Sequence, residues 1–353
     1  MGKLRVGVIG AGSWALSAHI PALAARTDEV ELVGVCRVEA DAAERIRERY
    51  GFRMASTDYR DVLDAGIDVA VVASPSGLHH EHAVAALRAG AHVLLEKPMT
   101  IASADAWDIV READDQGRHL ALSFGWNYMP IVREAVAAIE RIGIGRLEHM
   151  TLHMSSQTRE LLSNSGAYPA ASAESLPRPE TWTDPKLSGG GYGQAQLSHA
   201  FALALALVPD DVTGAFALMS HPLDAPVELH DAAAVRFSGG GIGTVSGGSA
   251  HVGASGNKHD LEVHGIGSEG QFIVDLHREL VWVYRPDGTD YTADLPPSAG
   301  AYDWFAPANG IVDLALGRMT DNPASGRLGA RTVVALELLY ESAQRGAWVD
   351  AGS

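Results

Sequence analysis

The sequence predicts an α/β protein built from an N-terminal doubly wound parallel sheet and a C-terminal α+β domain with a large, mostly antiparallel open sheet. Three observations carry this. The first third of the chain alternates short β-rich runs with helical patterns, as crossover-connected parallel strands require. A glycine-rich turn lies between the first strand and the first helix. From residue 212 onward, strand-like runs follow one another with only turn-prone Gly, Asn and Asp between them. A chain of 353 residues exceeds one ordinary core. The change of texture near residue 122 divides it into 1–122 and 123–353.

Taken in order, LRVGVIG (4–10) is strand one, SAHIPALAA (17–25) a helix and VELVGVC (30–36) strand two. ADAAERIRERYG (40–51) is helical with a glycine stop, DVAVVAS (68–74) is a strand, and HEHAVAALRAG (80–90) is a helix ending in Gly. It leads into the strand AHVLLE (91–96). A right-handed βαβ assembly follows from this order. Beyond it, helix PIVREAVAAIERIG (130–143) precedes strand LEHMTLHMS. A Ser-, Pro- and Ala-rich loop (163–188) then reads as a lid or interface segment. The strand-rich region from 212 closes on helix ARTVVALELLYESAQRG (330–346), whose apolar spacing is near 3.6.

Composition excludes several functions. Hydrophobic residues at 46% and charged residues at 20% match an ordinary globular protein. Lys and Arg total 27 against 44 Asp and Glu, and the resulting charge of −17 opposes nucleic acid and anionic lipid alike. A single cysteine, Cys36, in the apolar run VELVGVC reads as a packed core thiol and fits a reducing cytoplasm. No secretory pattern opens the sequence, and AFALALALV (200–208) is too short to span a bilayer. A cytoplasmic protein without membrane partners is expected.

In VGVIGAGSWALSAH, Gly10, Gly12 and Ala15 form G-x-G-x-x-A directly after a strand and before a helix. The first glycine permits the tight turn, the second lets a pyrophosphate approach the backbone, and the small third residue lets helix and strand close up. Dinucleotide binding on a Rossmann domain is the expectation, with Ser13 and Trp14 of the same turn beside the ligand. At the tip of strand two, where an acidic residue usually serves the ribose of NAD, stands Arg37. Arginine pairs with a 2′-phosphate, which leans the NAD(P) choice towards NADP. Glu39 is close enough to serve a ribose instead, and Arg37 also reads as an ordinary loop residue.

Three stretches, GVIGAGSWALSAHIPAL, ASPSGLHHEHAVAALRAGAHVLLEKPM and NPASGRLGARTVVALELLYESAQRGAWV, resemble the glucose–fructose oxidoreductase / inositol dehydrogenase / MocA (Gfo/Idh/MocA) family. The resemblance implies a Rossmann domain followed by an α/β domain whose open sheet serves as a homodimer or homotetramer interface. It also implies NAD(P)-dependent oxidation or reduction of sugars or cyclitols. Lys97 of LLEKPM matches the catalytic lysine and Glu96 a residue near the nicotinamide ribose. The proline after the lysine is often preceded by a cis bond in the family. Ser74, Pro75 and His79 match a turn against the cofactor diphosphate and ribose. Physically, the carboxyl end of a strand in a doubly wound sheet is where ligands bind. Desolvation there lowers a lysine's pKa and lets it trade a proton. His79-His80-Glu81-His82 lacks the H-x-x-x-H spacing of a helical ligand pair, and no metal is expected.

The chain departs from the family in its second domain. The helix that usually carries Asp and His four residues apart reads GGGYGQAQLSHAFALAL, with His199 in place and Ala195 where the aspartate belongs. Regular helical spacing from about residue 190 puts Tyr192, Gln196 and His199 on one face. His199 is the candidate acid/base or orienting partner of Lys97. Gln194 and Gln196 suit a polyol substrate or are simply polar helix surface. FGWNYMP (124–130) matches the family's domain-entering strand, with Trp126, Asn127 and Tyr128 as candidate sugar contacts. YDWF (302–305) reads as core or as pocket aromatics. A sugar or cyclitol dehydrogenase/reductase leads this reading. A glycosidase using transient oxidation and elimination, and a non-catalytic sensor of dinucleotide or sugar, are its alternatives.

Overall fold

The structure is a computed structural model that describes residues 2–166, 178–252 and 259–352. Part of the 163–188 loop expected as a lid lies outside the described residues. The described residues form two compact units, one of 2–125, 178–181 and 304–330, the other of 126–166, 182–252, 259–303 and 331–352.

In the first unit β1 (Leu4–Ile9), β2 (Val30–Cys36), β3 (Met54–Ser56), β4 (Val69–Val72), β5 (His92–Leu95) and β6 (Leu120–Leu122) form a parallel sheet in the order β3-β2-β1-β4-β5-β6. The order reverses between β1 and β4, the switch point at which doubly wound sheets bind ligands beyond their carboxyl ends. The strands read as continuous apolar runs, such as VAVV, because helices cover both faces. Val6, Val8, Val35, Val69, Val71 and Leu94 are buried, and helix Ala306–Ala315 adds Ile311 and Val312 to the same core. Cys36 is buried, and burial with Asp58 and Asp61 nearby pushes its thiol up to about 11, so it is an inert core residue. Strands β3 and β6 and helix Ser103–Gln116 had no place in the reading of the sequence.

The second unit holds β7 (Leu147–Ser156), β8 (Val212–Ser220), β9 (His230–Phe237), β10 (Ile242–Ser249), β11 (Asp260–Gly267), β12 (Gln271–Asp275), β13 (Leu280–Tyr284), β14 (Asp290–Thr292) and β15 (Val349–Asp350). Their order is β14-β13-β12-β11-β7-β10-β9-β8-β15, antiparallel throughout except for the parallel pair β7 and β10. Helix Ser198–Leu207 is apolar on all sides and buried nearly throughout, the expected fate of such a helix. Side chains alternate across the strands, leaving Phe216, Leu218, Ile242, Ile266 and Tyr284 exposed.

Two local expectations need correction. FGWNYMP is not a strand: Gly125–Tyr128 is a 3₁₀ turn, and Met129 is extended before Pro130 opens helix Pro130–Ile142. Proline disfavours helical geometry in the residue before it and suits the first helical turn, so the chain breaks there and restarts as helix. The helix before His199 is also not regular. Gly193–Leu197 is a π-turn with the Ser198 N–H on the Gly193 carbonyl, so the 3.6-residue stripe through Tyr192, Gln196 and His199 does not hold. No helix among the described residues is long and apolar enough to cross a membrane.

Candidate active site

The glycine turn of the first unit is tied to the tip of β2 by backbone bonds. Gly10 and Ala11 both donate to the Cys36 carbonyl at 3.0 Å, and Gly12 donates back to Gly10 at 2.7 Å. Gly10 has φ +84°, and a Cβ on it would sit 2.6 Å from Ser74 Cα. Gly12 meets nothing nearer than the Gly10 oxygen at 3.9 Å, so its face is open to a ligand. Ala15 is buried at the third small position. Trp14 packs its indole against Trp304, with centroids 5.3 Å apart, and Ser13 lies between it and Gly12 in the turn.

Arg37 donates to Glu39 Oε2 at 2.7 Å and to the Ala11 carbonyl at 3.0 Å. Arg178 also bonds Glu39. The Arg37 bond, ahead of the two guanidinium charges, holds the Glu39 carboxyl below its usual range. Both groups at the tip of β2 are therefore joined to each other.

At the carboxyl end of β5 the charged pair has distinct surroundings. Glu96 is buried and faces His19 Nε2 at 2.6 Å, and its other oxygen accepts the Lys97 N–H at 3.0 Å. Burial alone would raise this carboxyl, but the His19 bond and the Lys97 charge outweigh it and hold it below the usual range. His19 is fully buried, and its Nδ1 has no partner among the described residues. Lys97 is half-buried, and burial lowers its ammonium pKa against the opposing pull of Glu96. The Lys97–Pro98 peptide is cis.

His79 braces this corner. Its ring is 1% exposed, with Nε2 2.7 Å from the Ser74 carbonyl and Nδ1 3.0 Å from that of Pro98, so it joins the Ser74-Pro75 turn to the loop after Lys97. Burial lowers its pKa against the opposing pull of these carbonyls and of Glu96. Ser74 Oγ lies 2.9 Å from His82 Nδ1.

Within the second unit, His199 is buried and meets the Trp126 ring edge-on at 5.1 Å and that of Tyr302 at 5.9 Å. Trp126 also packs against His259 and Tyr302, which makes Tyr302 of the YDWF stretch part of this aromatic cluster. Asn127 Nδ2 donates to the Ala202 carbonyl at 3.3 Å, and Tyr128 is half-buried. Gln194 and Gln196 are both buried rather than on a helix surface, and Gln194 Oε1 lacks a partner among the described residues. Buried amide oxygens are normally bonded, so this one is available to a ligand or water.

Several residues of this region escaped the sequence. Gln157, just past β7, is buried with an unpartnered Oε1 among the described residues. Glu228 and Asp231 are buried carboxyls near the start of β9. Burial, then the Glu228 charge, pushes the Asp231 carboxyl well above its usual range. Only the rarity of charge in buried strands could have marked PVELHD. His19 carried no signal beyond being, with Ser17, one of two polar residues in an otherwise apolar helix.

The open face of Gly12, the wedge at Gly10 and the orphaned His19 nitrogen fit a bound dinucleotide. Among the described residues no group of three His, Cys, Asp or Glu is placed to hold a metal ion.

Sheet order and glycine turn together define a dinucleotide-binding unit of the Rossmann class. Residues 4–124 match the profile of the oxidoreductase family with an NAD-binding Rossmann fold, glucose–fructose oxidoreductase / inositol dehydrogenase / MocA. D-glucoside 3-dehydrogenase of Escherichia coli is 38% identical over 122 residues, 34% of either chain. Levoglucosan dehydrogenase of Pseudarthrobacter phenanthrenivorans is 27% identical over 353 aligned positions, 88% of this chain and 85% of that one. The chain thus spans about a third of the first relative's length and most of the second's. Among solved structures, an oxidoreductase domain protein from Kribbella flavida shares the fold with a TM-score of 0.80 at 20% identity over all of both chains. A levoglucosan dehydrogenase in complex with NADH and levoglucosan does so with a TM-score of 0.77 at 22% identity, covering 99% of this chain and all of that one.

Proposed function

We propose that the protein transfers a hydride between a nicotinamide dinucleotide and a hydroxyl or ketone carbon of a sugar or cyclitol. The observation that carries this is Lys97, a lysine of lowered pKa at the carboxyl end of β5, in the same unit as the open glycine turn. A bound nicotinamide supplies the hydride acceptor or donor. The backbone at Gly10, Gly12, Ser13 and Trp14 would hold its pyrophosphate, with Ser74 and Pro75 alongside and Glu96 at the ribose.

In the oxidative direction the neutral Lys97 amine accepts the substrate hydroxyl proton as the C–H bond breaks, and in reduction the ammonium returns it. Glu96 stabilises the charged form through its own charge, and His19 keeps that carboxylate ionised. We assign His199 a supporting role in the same proton transfer, on the family resemblance. Trp126, Tyr128, Gln194, Gln196 and Gln157 are assigned to substrate binding. Asn127 is assigned to holding Trp126 in place through its bond to Ala202.

For the cofactor we favour NAD over the NADP preference that Arg37 alone suggests, since its guanidinium already bonds Glu39 and Ala11, and Glu39 can accept a ribose hydroxyl. The exposed Phe216, Leu218, Ile242, Ile266 and Tyr284 favour self-association through the outer sheet face. The names of the relatives, among them inositol 2-dehydrogenases, support the substrate class.

The test is a paired screen of NAD and NADP against pyranoses, anhydrosugars, inositols and their ketones, read at the absorbance of reduced nicotinamide. Turnover on at least one polyol with either cofactor is expected. Dinucleotide binding without turnover on any member of the panel would overturn the reading.

A further inference from the structure

The glycine run ahead of His199 is folded around one buried side chain. Glu228 is 3% exposed, and its carboxylate accepts the Gly191 N–H at 2.8 and 2.9 Å, the Gly193 N–H at 3.0 Å and the hydroxyl of Tyr340. Its carbonyl also takes the Tyr192 N–H at 3.0 Å. The Tyr340 oxygen in turn accepts the Gln194 N–H at 3.0 Å. A Cβ on Gly193 would lie 2.7 Å from that phenolic oxygen, and one on Gly191 would strike the Glu228 carbonyl. The absence of side chains at these glycines is the space into which Glu228 and Tyr340 fit.

These N–H groups are the donors a helix start leaves without intrahelical partners, and a carboxylate is favourable there. The turn that follows is the π-turn Gly193–Leu197, a rare geometry that occurs mostly as single turns at functional sites. Gly193 is its pivot, with its N–H on Glu228 and its C=O accepting the Ser198 N–H. A chain of contacts therefore runs from Glu228 through one residue, Gly193, to the residue before His199.

We propose that Glu228 and Tyr340 are positioning residues that fix the register of this π-turn and thereby the direction of Gln194, Gln196 and His199. The proposal deepens the function above and rests on it for the claim that His199 serves the reaction. Neither residue is assigned contact with substrate or cofactor. They act through the helix, replacing with a buried anchor the order that a regular helix gets from its own bonds.

Two substitutions test this in the full chain. Glu228→Gln keeps the shape and weakens the anchor, and Tyr340→Phe keeps the ring beside Gly190 and Gly193 but removes both hydroxyl bonds. The first readout is the His199 imidazole resonance in histidine-labelled protein, assigned by its loss in His199→Asn. The second is the steady state on whichever substrate the screen yields. The expected result is a His199 resonance displaced beyond its linewidth in both variants, with kcat lowered about tenfold or more and KM for the dinucleotide unchanged. Folded variants with wild-type His199 shifts and wild-type kcat overturn the proposal. So does a loss of kcat that is matched by lost dinucleotide affinity, which would signal general loosening. If Glu228→Gln does not fold, Tyr340→Phe decides alone. A wild type inert on every sugar sinks the proposed function, while the resonance still judges the positioning.

Discussion

Gly10 and Gly12 are two residues apart in one turn, yet replacing each by alanine is expected to damage different things. At Gly10 the backbone is left-handed, and the added Cβ would stand 2.6 Å from Ser74 Cα, a backbone atom that cannot turn aside. Strain of this kind amounts to about 1–3 kcal/mol. By the scaling for larger domains that is a melting shift of roughly 2–12 °C downward. At Gly12 φ is ordinary, and the nearest atom to a Cβ is 3.9 Å away, so stability should stay within about 0.5 kcal/mol. The methyl would instead fill the face on which a pyrophosphate lies, and a tenfold or greater loss of NADH affinity, about 1.4 kcal/mol, is expected. Calorimetric melting gives the first quantity. Quenching of the Trp14 and Trp304 fluorescence during NADH titration gives the second. A Gly12→Ala protein that binds NADH as tightly as wild type would refute the assignment of the turn, and an unshifted melt for Gly10→Ala would refute the strain argument.

Other consequences are open to the same treatment. Glu39→Gln removes the charge that Arg37 and Arg178 now hold, freeing them for a 2′-phosphate, and should raise the ratio of kcat/KM for NADP over NAD by about tenfold; an unchanged ratio places specificity elsewhere. The pKa of Asp231 is raised by folding, so between its unfolded and folded values the folded state holds a proton that the unfolded chain has released. Its contribution is intact below the unfolded value near 4 and is lost as pH rises towards the folded one, by at most about 1.4 kcal/mol per pH unit. Urea melts of Asp231→Asn should therefore show less loss of stability between pH 5 and pH 8 than wild type. His199→Ala should lower turnover by about 10²-fold with NADH affinity unchanged, as measured by steady-state rates and titration.

What the sequence disclosed and what it hid divide along the range of the interactions. Gly10-x-Gly12-x-x-Ala15 and the run into Glu96-Lys97-Pro98 are local, because the turn and the strand end are each made by neighbouring residues. The apolar strands flanking them were legible for the same reason. Strands β3 and β6, three residues each, are too short for any period to show. That residues 304–330 join the first unit depends on helix Ala306–Ala315 packing on strands about two hundred residues or more earlier. Gln194 and Gln196 were placed by assuming a regular helix, and the π-turn was invisible because its support comes from Glu228 and Tyr340, distant in sequence. Arg37 was read as a partner for a 2′-phosphate or as an ordinary loop residue, whereas its bonds go to Glu39 and to the carbonyl of Ala11.

The most direct trial of the whole account is Lys97→Met, which keeps an unbranched side chain of similar length and removes the amine. Turnover should fall by about 10²- to 10⁴-fold, the usual contribution of general acid–base catalysis, while the NADH dissociation constant stays within about threefold of wild type. A variant that still turns over at near wild-type rate, or one whose deficit is entirely lost cofactor binding, would contradict it.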